Sequence, residues 1–355
     1  MRLQVNIPLA PLTTLNVGGC ARYFVEAHHS HEVMEAVAHA AAQRLPLFVL
    51  GGGSNLVIAD EGWPGLVLKI SLSGVEFEGD REKMAFHAGA GEDWDTLVGL
   101  AVKKGCSGIE CLSGIPGTVG GTPVQNVGAY GQEVSETITR VRALEIATGE
   151  FVDMSNTQCG FAYRTSRFNT DWRDRFVVLE VSYLLRRNGS SRIEYADLKK
   201  YFAERACPEQ PTLQEVRDAV RSIRQSKAML IVPGDEDCRS AGSFFKNPLV
   251  SDNEANRIEA LAQKRAPGKA LPRYPGGDGK VKLAAAWLVE QSGFNKGYAR
   301  GPVGISSKHS LAIVNRGGAT AKDIVALCQE IQHKVFDIWG VSLHPEPVFV
   351  GFPAP

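Results

Sequence analysis

The sequence predicts an α+β protein built as two domains, and three observations lead there. Its 355 residues exceed what a single hydrophobic core usually serves. Hydrophobic residues make up 44% and charged residues 22%, a globular balance rather than a disordered one. Runs of β type mix with amphipathic helical stretches on both sides of a break near residue 222. The division is therefore 1–222, an α+β region with glycine loops, and 223–355, a smaller α+β domain.

The elements follow in order. Residues 31–44 read as a helix, with Ser30 as N-cap, Glu32 in the first turn, and Val33, Val37 and Ala40 on one face. Pro46 opens a strand over 47–50, and 56–58 resumes an extended apolar pattern after a glycine loop. Strands are expected at 67–70, 141–146 and 176–185. A helix over 93–104 carries Trp94, Leu97, Val98 and Ala101 as its apolar stripe. A hinge at 207–213 precedes a helix over 213–226. Beyond it lie a Pro/Gly-rich loop at 266–279, a helix over 281–291, and a last helix over 321–339. Thr320 with Asp323 caps that helix, and Gly340 stops it.

Composition excludes several classes. The 39 basic and 39 acidic side chains cancel, which removes the usual basis for non-specific nucleic-acid binding. No apolar run approaches the roughly 20 residues of a membrane span. The first residues lack the apolar stretch of a signal peptide, so the expected location is cytoplasmic. Seven scattered cysteines, Cys20, Cys106, Cys111, Cys159, Cys207, Cys238 and Cys328, form no Cys-x-x-Cys pair. With no His cluster to complete a zinc set, they read as reduced thiols and no metal is expected.

Glycine carries the argument further. Gly51, Gly52 and Gly53, followed by Ser54 and Asn55, present consecutive backbone amides suited to a pyrophosphate, or else form a glycine-rich turn. The loop leads into β structure rather than a helix, and its spacing is not Gly-x-Gly-x-x-Gly, so a classical Rossmann NAD domain is not expected. Residues 108–133 hold seven glycines and confine charge to Glu110 and Glu133. Such density is costly unless the backbone must approach something closely, and an extended cofactor would supply the reason.

Three weaker signals follow. Ser243 lies between Gly242 and two phenylalanines, with no nucleophile elbow, and reads as a proton or hydrogen-bond donor or as a turn serine. Arg164, among aromatic neighbours, could grip a carboxylate bidentately or lie on the surface. Glu346 sits between two prolines that fix its backbone, in a segment that otherwise reads as a solvated loop.

Together, Leu50 to Asn55, Gly114 to Gly121, Gln125 to Gly131, Tyr163-Arg164, Ala241 to Pro248 and Pro345-Glu346 closely resemble the UDP-N-acetylenolpyruvoylglucosamine reductase family of bacterial peptidoglycan synthesis. The resemblance spans nearly the whole chain and implies a vanillyl-alcohol-oxidase-type (PCMH-type) FAD domain, 1–222, followed by a substrate-binding domain, 223–355. It implies non-covalent FAD, NADPH as hydride donor, a UDP-sugar substrate and a monomer. Motif by motif it places FAD against Gly51, Gly52, Gly53, Ser54, Asn55, Ile115, Pro116, Gly117, Gly121, Thr122, Asn126, Gly128 and Ala129. It makes Arg164, Ser243 and Glu346 catalytic. Tyr195, Lys227 and Asn247 match the substrate clamp of the subtype with an extra tyrosine-bearing loop. Val348 and Asn169 depart from the family, where a basic residue and a lysine respectively are common.

The implied reaction reduces the double bond of an enolpyruvyl ether. Charge spreads onto the carboxylate, which Arg164 answers, and the resulting enediolate takes a proton at its α-carbon from Ser243. An ionised carboxylate would oppose that charge, so Glu346 is expected to be protonated or to share a proton in the active complex. The rival readings are an FAD-dependent oxidase of the same fold acting on an alcohol or hydroxy acid, and a non-enzymatic sugar-nucleotide binding protein.

Overall fold

The computed structural model describes residues 1–191, 193–205, 210–277 and 279–353. By its contacts the chain divides into two units. Unit 1 comprises Met1–Ile7, Ala21–Gly53 and Trp63–Ile231; unit 2 comprises Pro8–Cys20, Ser54–Gly62 and Val232–Pro355. The final changeover falls after the helix that position 222 bisects, and two short early segments belong to unit 2, which one cut in the sequence does not express.

Unit 1 is built on two sheets. One orders Gln4–Pro8, Cys20–Ala27, Trp63–Ile70 and Leu47–Leu50, with the last two and Cys20–Ala27 parallel. Leu66 and Leu68 of its Trp63–Ile70 strand are fully buried, and helix α1, Ser30–Ala42, sets Val33, Ala36, Val37 and Ala40 into the same core. The cap differs from expectation: His29 is the N-cap, and the Glu32 carboxylate accepts the His28 and His29 amides at 2.8 and 3.2 Å. The second sheet runs Phe151–Ser155, Ile138–Glu145, Phe176–Arg187, Lys83–Gly89 and Val75–Gly79, all antiparallel, with Cys106–Ser107 on the end of the long strand. Helix α2, Trp94–Lys103, is capped by Asp93, which accepts the Thr96 amide at 2.8 Å. The short helix α3, Asn156–Cys159, follows, then α4, Ala196–Ala203, and α5, Leu213–Ser226. Leu198, Val216, Ala219, Val220 and Ile223 pack α4 and α5 together over Cys111 and Tyr130. The expected hinge begins at Cys207, which lies outside the described residues.

Unit 2 has its own core. Helix α6, Asp252–Arg265, is capped by Ser251 and lies beside the antiparallel strands Leu249–Ser251, Lys280–Leu283 and Arg273–Pro275. The helix expected over 281–291 is a strand at Lys280–Leu283 followed by the short α7, Ala285–Glu290. The period-two alternation of Lys280, Val281, Lys282 and Leu283 explains the difference, because it buries one face of a strand. Helix α8, Ala321–Trp339, has the expected Thr320 cap and a left-handed Gly340 (φ +68°) at its end. Its buried residues Ile324, Leu327, Cys328, Ile331, Val335 and Trp339 repeat at helical spacing. The Trp339 indole packs against Trp287 at a tilt of 56°, ring centres 5.1 Å apart, and donates to Ser292 Oγ at 3.0 Å. The unit also holds a three-stranded antiparallel sheet, Ala299–Arg300, Val303–Ile305 and Ile313–Asn315, and a parallel pair, Leu56–Ile58 with Val348–Val350.

Cys20, Cys106, Cys111, Cys159, Cys238 and Cys328 form no disulfide among the described residues, and burial pushes Cys111 and Cys159 upward, the latter to about 11. Among the described residues no helix is long and apolar enough to cross a membrane.

Phe86 is fully buried opposite Tyr183 in the central strands of unit 1. F86A is expected to cost about 3–5 kcal/mol, read as a lower melting temperature for this unit. A loss under ~1 kcal/mol would show that this sheet face is not a close-packed core.

Candidate active site

In unit 1 the two glycine stretches meet backbone to backbone. A Cβ on Gly52 would stand 2.5 Å from Gly117 Cα and 3.0 Å from the Thr118 amide nitrogen, closer than any side chain tolerates. The second stretch is stitched to the segment leading into α2. Trp94 N–H donates to Gly117 O at 3.1 Å, Val119 N–H to Glu92 O at 2.9 Å, and Gly120 N–H to Ala90 O at 2.8 Å. Part of the glycine density therefore serves the protein's own packing, whereas the sequence reading attributed it to a cofactor. Gly121 is different, since a Cβ there would meet nothing within 4 Å. Thr118 Oγ1, beside Gly51, is buried without a hydrogen-bond partner among the described residues, and is a polar group the sequence reading missed. Ile115 and Ala129 lie half-buried against the unit 1 core, with Pro116 also half-buried. The Thr122 hydroxyl is engaged internally, bonding Val119 O at 2.8 Å and the buried Tyr183 hydroxyl at 2.6 Å.

The peptide at Gly114 is gripped from both sides. Its N–H donates to Asp95 Oδ1 at 2.6 Å, and its carbonyl accepts from Arg224 Nε at 3.1 Å. Asp95 also takes Arg217 at 2.6 Å and Arg221. Burial alone would raise the Asp95 carboxyl, but Arg217, the Gly114 amide and Arg221 outweigh it and hold the group below its ordinary value. Nothing near Asp95 in sequence announces partners on α5. Only the folded chain brings them together.

Arg164 sits at a tight turn closed by Ala162 and Thr165, whose amides and carbonyls pair at 3.0 and 3.1 Å. Its φ of +53° is a strained value for a side-chain-bearing residue. The guanidinium lies 5.3 Å from the Tyr163 ring centre and donates to Gly128 O at 2.6 Å. Asn169 braces the turn, accepting the Ser166 amide at 3.0 Å and donating to Arg164 O at 3.4 Å.

Tyr195 and Lys227 also belong to unit 1. Tyr195 precedes α4 and packs edge-on to Tyr130 at 5.4 Å, while Lys227 ends α5 and pairs with Asp197 of α4 at 2.5 Å. Burial pushes the Tyr130 phenol up to about 12, so it stays protonated at neutral pH.

Unit 2 brings Ser243 and Glu346 together through main-chain bonds. Glu346 N–H donates to Phe244 O at 2.9 Å, Lys246 N–H to His344 O at 3.0 Å, and Phe244 N–H to Leu311 O at 2.7 Å. Ser243 is thus one residue from the carbonyl that holds the Glu346 amide. Asn55 joins them, its Nδ2 donating to Glu346 O at 3.3 Å and its carbonyl accepting the Val348 amide at 2.9 Å. Ser54 O accepts weakly from Thr14 Oγ1 at 3.4 Å. Asn247 holds the start of α7, accepting the Ala285 amide at 2.9 Å. Val348 is exposed at the start of its strand, and Gly51 to Gly53 fall in unit 1 while Ser54 and Asn55 fall in unit 2.

A family profile described as FAD binding domain matches residues 21–155, so the first class defined is that of an FAD-binding flavoprotein. A second, described as the C-terminal domain of UDP-N-acetylenolpyruvoylglucosamine reductase, matches residues 233–350. The chain is 47% identical over 349 residues to the UDP-N-acetylenolpyruvoylglucosamine reductase of Thermobifida fusca (strain YX), covering 98% of this chain and 97% of that one. It is 44% identical over 361 residues to that of Mycobacterium tuberculosis (strain H37Rv), covering 97% and 94%. The crystal structure of the Thermus caldophilus reductase superposes with a TM-score of 0.66 at 25% identity, covering 99% of both chains. The chain belongs to the UDP-N-acetylenolpyruvoylglucosamine reductase family.

FAD fits the residues present on two counts. The unpartnered Thr118 hydroxyl needs an acceptor or donor, and the side-chain-free surface at Gly51 and Gly121 leaves room for one.

Gly121→Ala meets no protein atom, so any drop in FAD affinity, read by fluorescence titration of the apoprotein, reports the cofactor directly. A tenfold or larger loss is expected; unchanged affinity would remove Gly121 from the FAD surface. Asp95 gives a pH test. A depressed carboxyl contributes stability above its unfolded value of about 3.9, lost as pH falls through the folded value. Wild-type melting is therefore expected to gain an acid-side decline below about pH 4 that D95N lacks, and identical acid limbs would refute the assignment.

Proposed function

We propose that this protein reduces UDP-N-acetylglucosamine enolpyruvate to UDP-N-acetylmuramate, with NADPH as hydride donor and non-covalent FAD as cofactor. The observation that carries the reading is the bridged pair of segments in unit 2 that sets Ser243 next to the carbonyl holding Glu346. Family membership supports the substrate.

In this reading FAD is held by Gly51, Gly52, Gly53, Ser54 and Asn55, and by Ile115, Pro116, Gly117, Thr118 and Gly121. The backbones of Thr122, Gly128 and Ala129 complete the cradle. When bound, FAD supplies the hydride chemistry between NADPH and the enolpyruvyl double bond. The protein supplies charge, protons and position. Arg164 meets the substrate carboxylate as it gains negative charge, a contribution of about 10² to 10³ in rate for such a fixed donor. Ser243 gives its hydroxyl proton to the α-carbon of the enediolate, worth roughly 10² to 10⁴. Glu346 acts as a protonated or proton-sharing hydrogen-bond partner, because a bare carboxylate would oppose the growing charge. Tyr195, Lys227 and Asn247 hold the UDP diphosphate. Residues 1–222 form the FAD-binding region and 223–355 the substrate-binding domain. The protein works as a monomer in the cytoplasm.

The purified protein should show a flavin spectrum that NADPH bleaches without oxygen and that the enolpyruvyl UDP-sugar restores. Recovery with oxygen alone would favour an oxidase, and a colourless protein that FAD cannot reconstitute would end the reading. S243A should keep the bleaching step while slowing recovery by about 10² or more. E346Q should retain more activity than E346A; equal losses would argue against a hydrogen-bonding role.

A further inference from the structure

Asn126 is almost wholly buried, at 1% exposure, with a positive φ of +46°. Its side chain is committed to the protein. Oδ1 accepts the Ser135 amide at 3.1 Å, and Nδ2 donates to Glu133 Oε2 at 2.8 Å and to Ala162 O at 3.1 Å. An amide has two donors and one acceptor oxygen, so this carboxamide has no further donor to offer a cofactor. Ala162 is the residue that opens the turn bearing Arg164.

Two further bonds tie that turn to the same stretch. Ser166 Oγ donates to Val124 O at 2.7 Å, and Arg164 Nη2 donates to Gly128 O at 2.6 Å. Gly128 fits the arrangement tightly: a Cβ there would lie 2.7 Å from Glu133 Cγ and 3.1 Å from Arg164 Nη1. The segment 124–135 thus forms a seat for Arg164, with Asn126 at its centre and Glu133 as the brace that orients the carboxamide.

We propose that Asn126, with Glu133, is a positioning residue that fixes the Arg164 guanidinium, rather than a side-chain ligand of FAD. The inference deepens the functional reading and rests on its assignment of Arg164 to the substrate carboxylate. Displacing a reacting group by about an ångström can cost 10²-fold, and the role proposed for Arg164, on the substrate carboxylate, gives it no part in the NADPH step.

The test uses N126G, because glycine adopts the positive φ without strain. In holoenzyme without oxygen, NADPH bleaching should proceed at close to the wild-type rate, and recovery with the enolpyruvyl UDP-sugar should slow by about 10²-fold. FAD affinity of the apoprotein should change by less than about threefold. In an R164M background N126G should slow recovery no further, since the two act through one group. The Arg164 Nε–H signal in ¹⁵N NMR, identified by its loss in R164M, should shift or broaden in N126G. Should N126G fail to fold, E133A leaves the Asn126 backbone alone and should give the same split in smaller measure, with E133Q restoring recovery. Parallel loss of FAD affinity and bleaching, additive slowing in the double variant, or an unmoved Arg164 signal would each overturn the proposal. A wild-type holoenzyme that the UDP-sugar cannot reoxidise would sink the functional reading instead, and the NMR comparison would still decide the positioning role.

Discussion

The contact between Gly52 and Gly117 constrains much of unit 1. Two loops far apart in sequence can approach this closely only if neither carries a side chain at the meeting point. The approach also fixes the entry to α2, because the carbonyl of Gly117 takes the first amide of that helix. A helix start normally leaves its first amides unpaired. Here one of them is satisfied by the same glycine that makes the loops fit, so local helix structure and the glycine surface are set by one contact. The price in chain entropy of so many glycines is thus met partly by packing, before any ligand arrives.

The same stretch shows how buried polarity is managed. A buried peptide group must find partners, and Gly114 finds a carboxylate for its amide and a guanidinium for its carbonyl. Asp95 would be costly to bury alone; with Arg217 and Arg221 beside it the site is compensated. All three arginines come from α5, whose C-terminal cap is Lys227. One helix therefore holds the glycine stretch along its side and presents the lysine at its end. A change in the pitch or seating of α5 would move both. This is a reason for the helix to be capped firmly by Thr212 and Glu215, whose side chains bond each other's backbone amides.

Sequence made several of the capped helices legible, though not α6, whose Ser251–Glu254 cap went unread. The 93–104 and 213–226 helices and the Thr320–Asp323 cap of α8 all carry local signals, and local signals survive without tertiary information. The 281–291 region failed because a short alternating strand and a short apolar helix lie end to end, and their combined apolar pattern imitates one helix. The glycine motifs and Ser243 were legible as a constellation, through resemblance. Asp95, Thr118 and the role of Asn126 were not. Each acquires its meaning from a partner or a vacancy created by folding: an arginine on another helix, a hydroxyl left without a mate, a carbonyl on a distant turn.

The catalytic candidates differ in how they are held, and that difference bears on which substitutions each can tolerate. Ser243 and Glu346 are placed by main-chain bonds, through Phe244, Lys246 and His344. Side-chain replacement at those neighbours leaves the bonds intact, so what the segment needs is its backbone path, which Pro345 and Pro347 restrict. Arg164 is placed by side chains, chiefly Asn126, Ser166 and Asn169, and stands on a left-handed residue that would relax if released. The Asn169 amide spans the Ser166 N–H and the Arg164 carbonyl at once. A lysine has donors but no acceptor and could serve only the carbonyl. The turn in this chain is thus held by two carboxamides, Asn126 on the Ala162 carbonyl and Asn169 on the Ser166 amide and the Arg164 carbonyl.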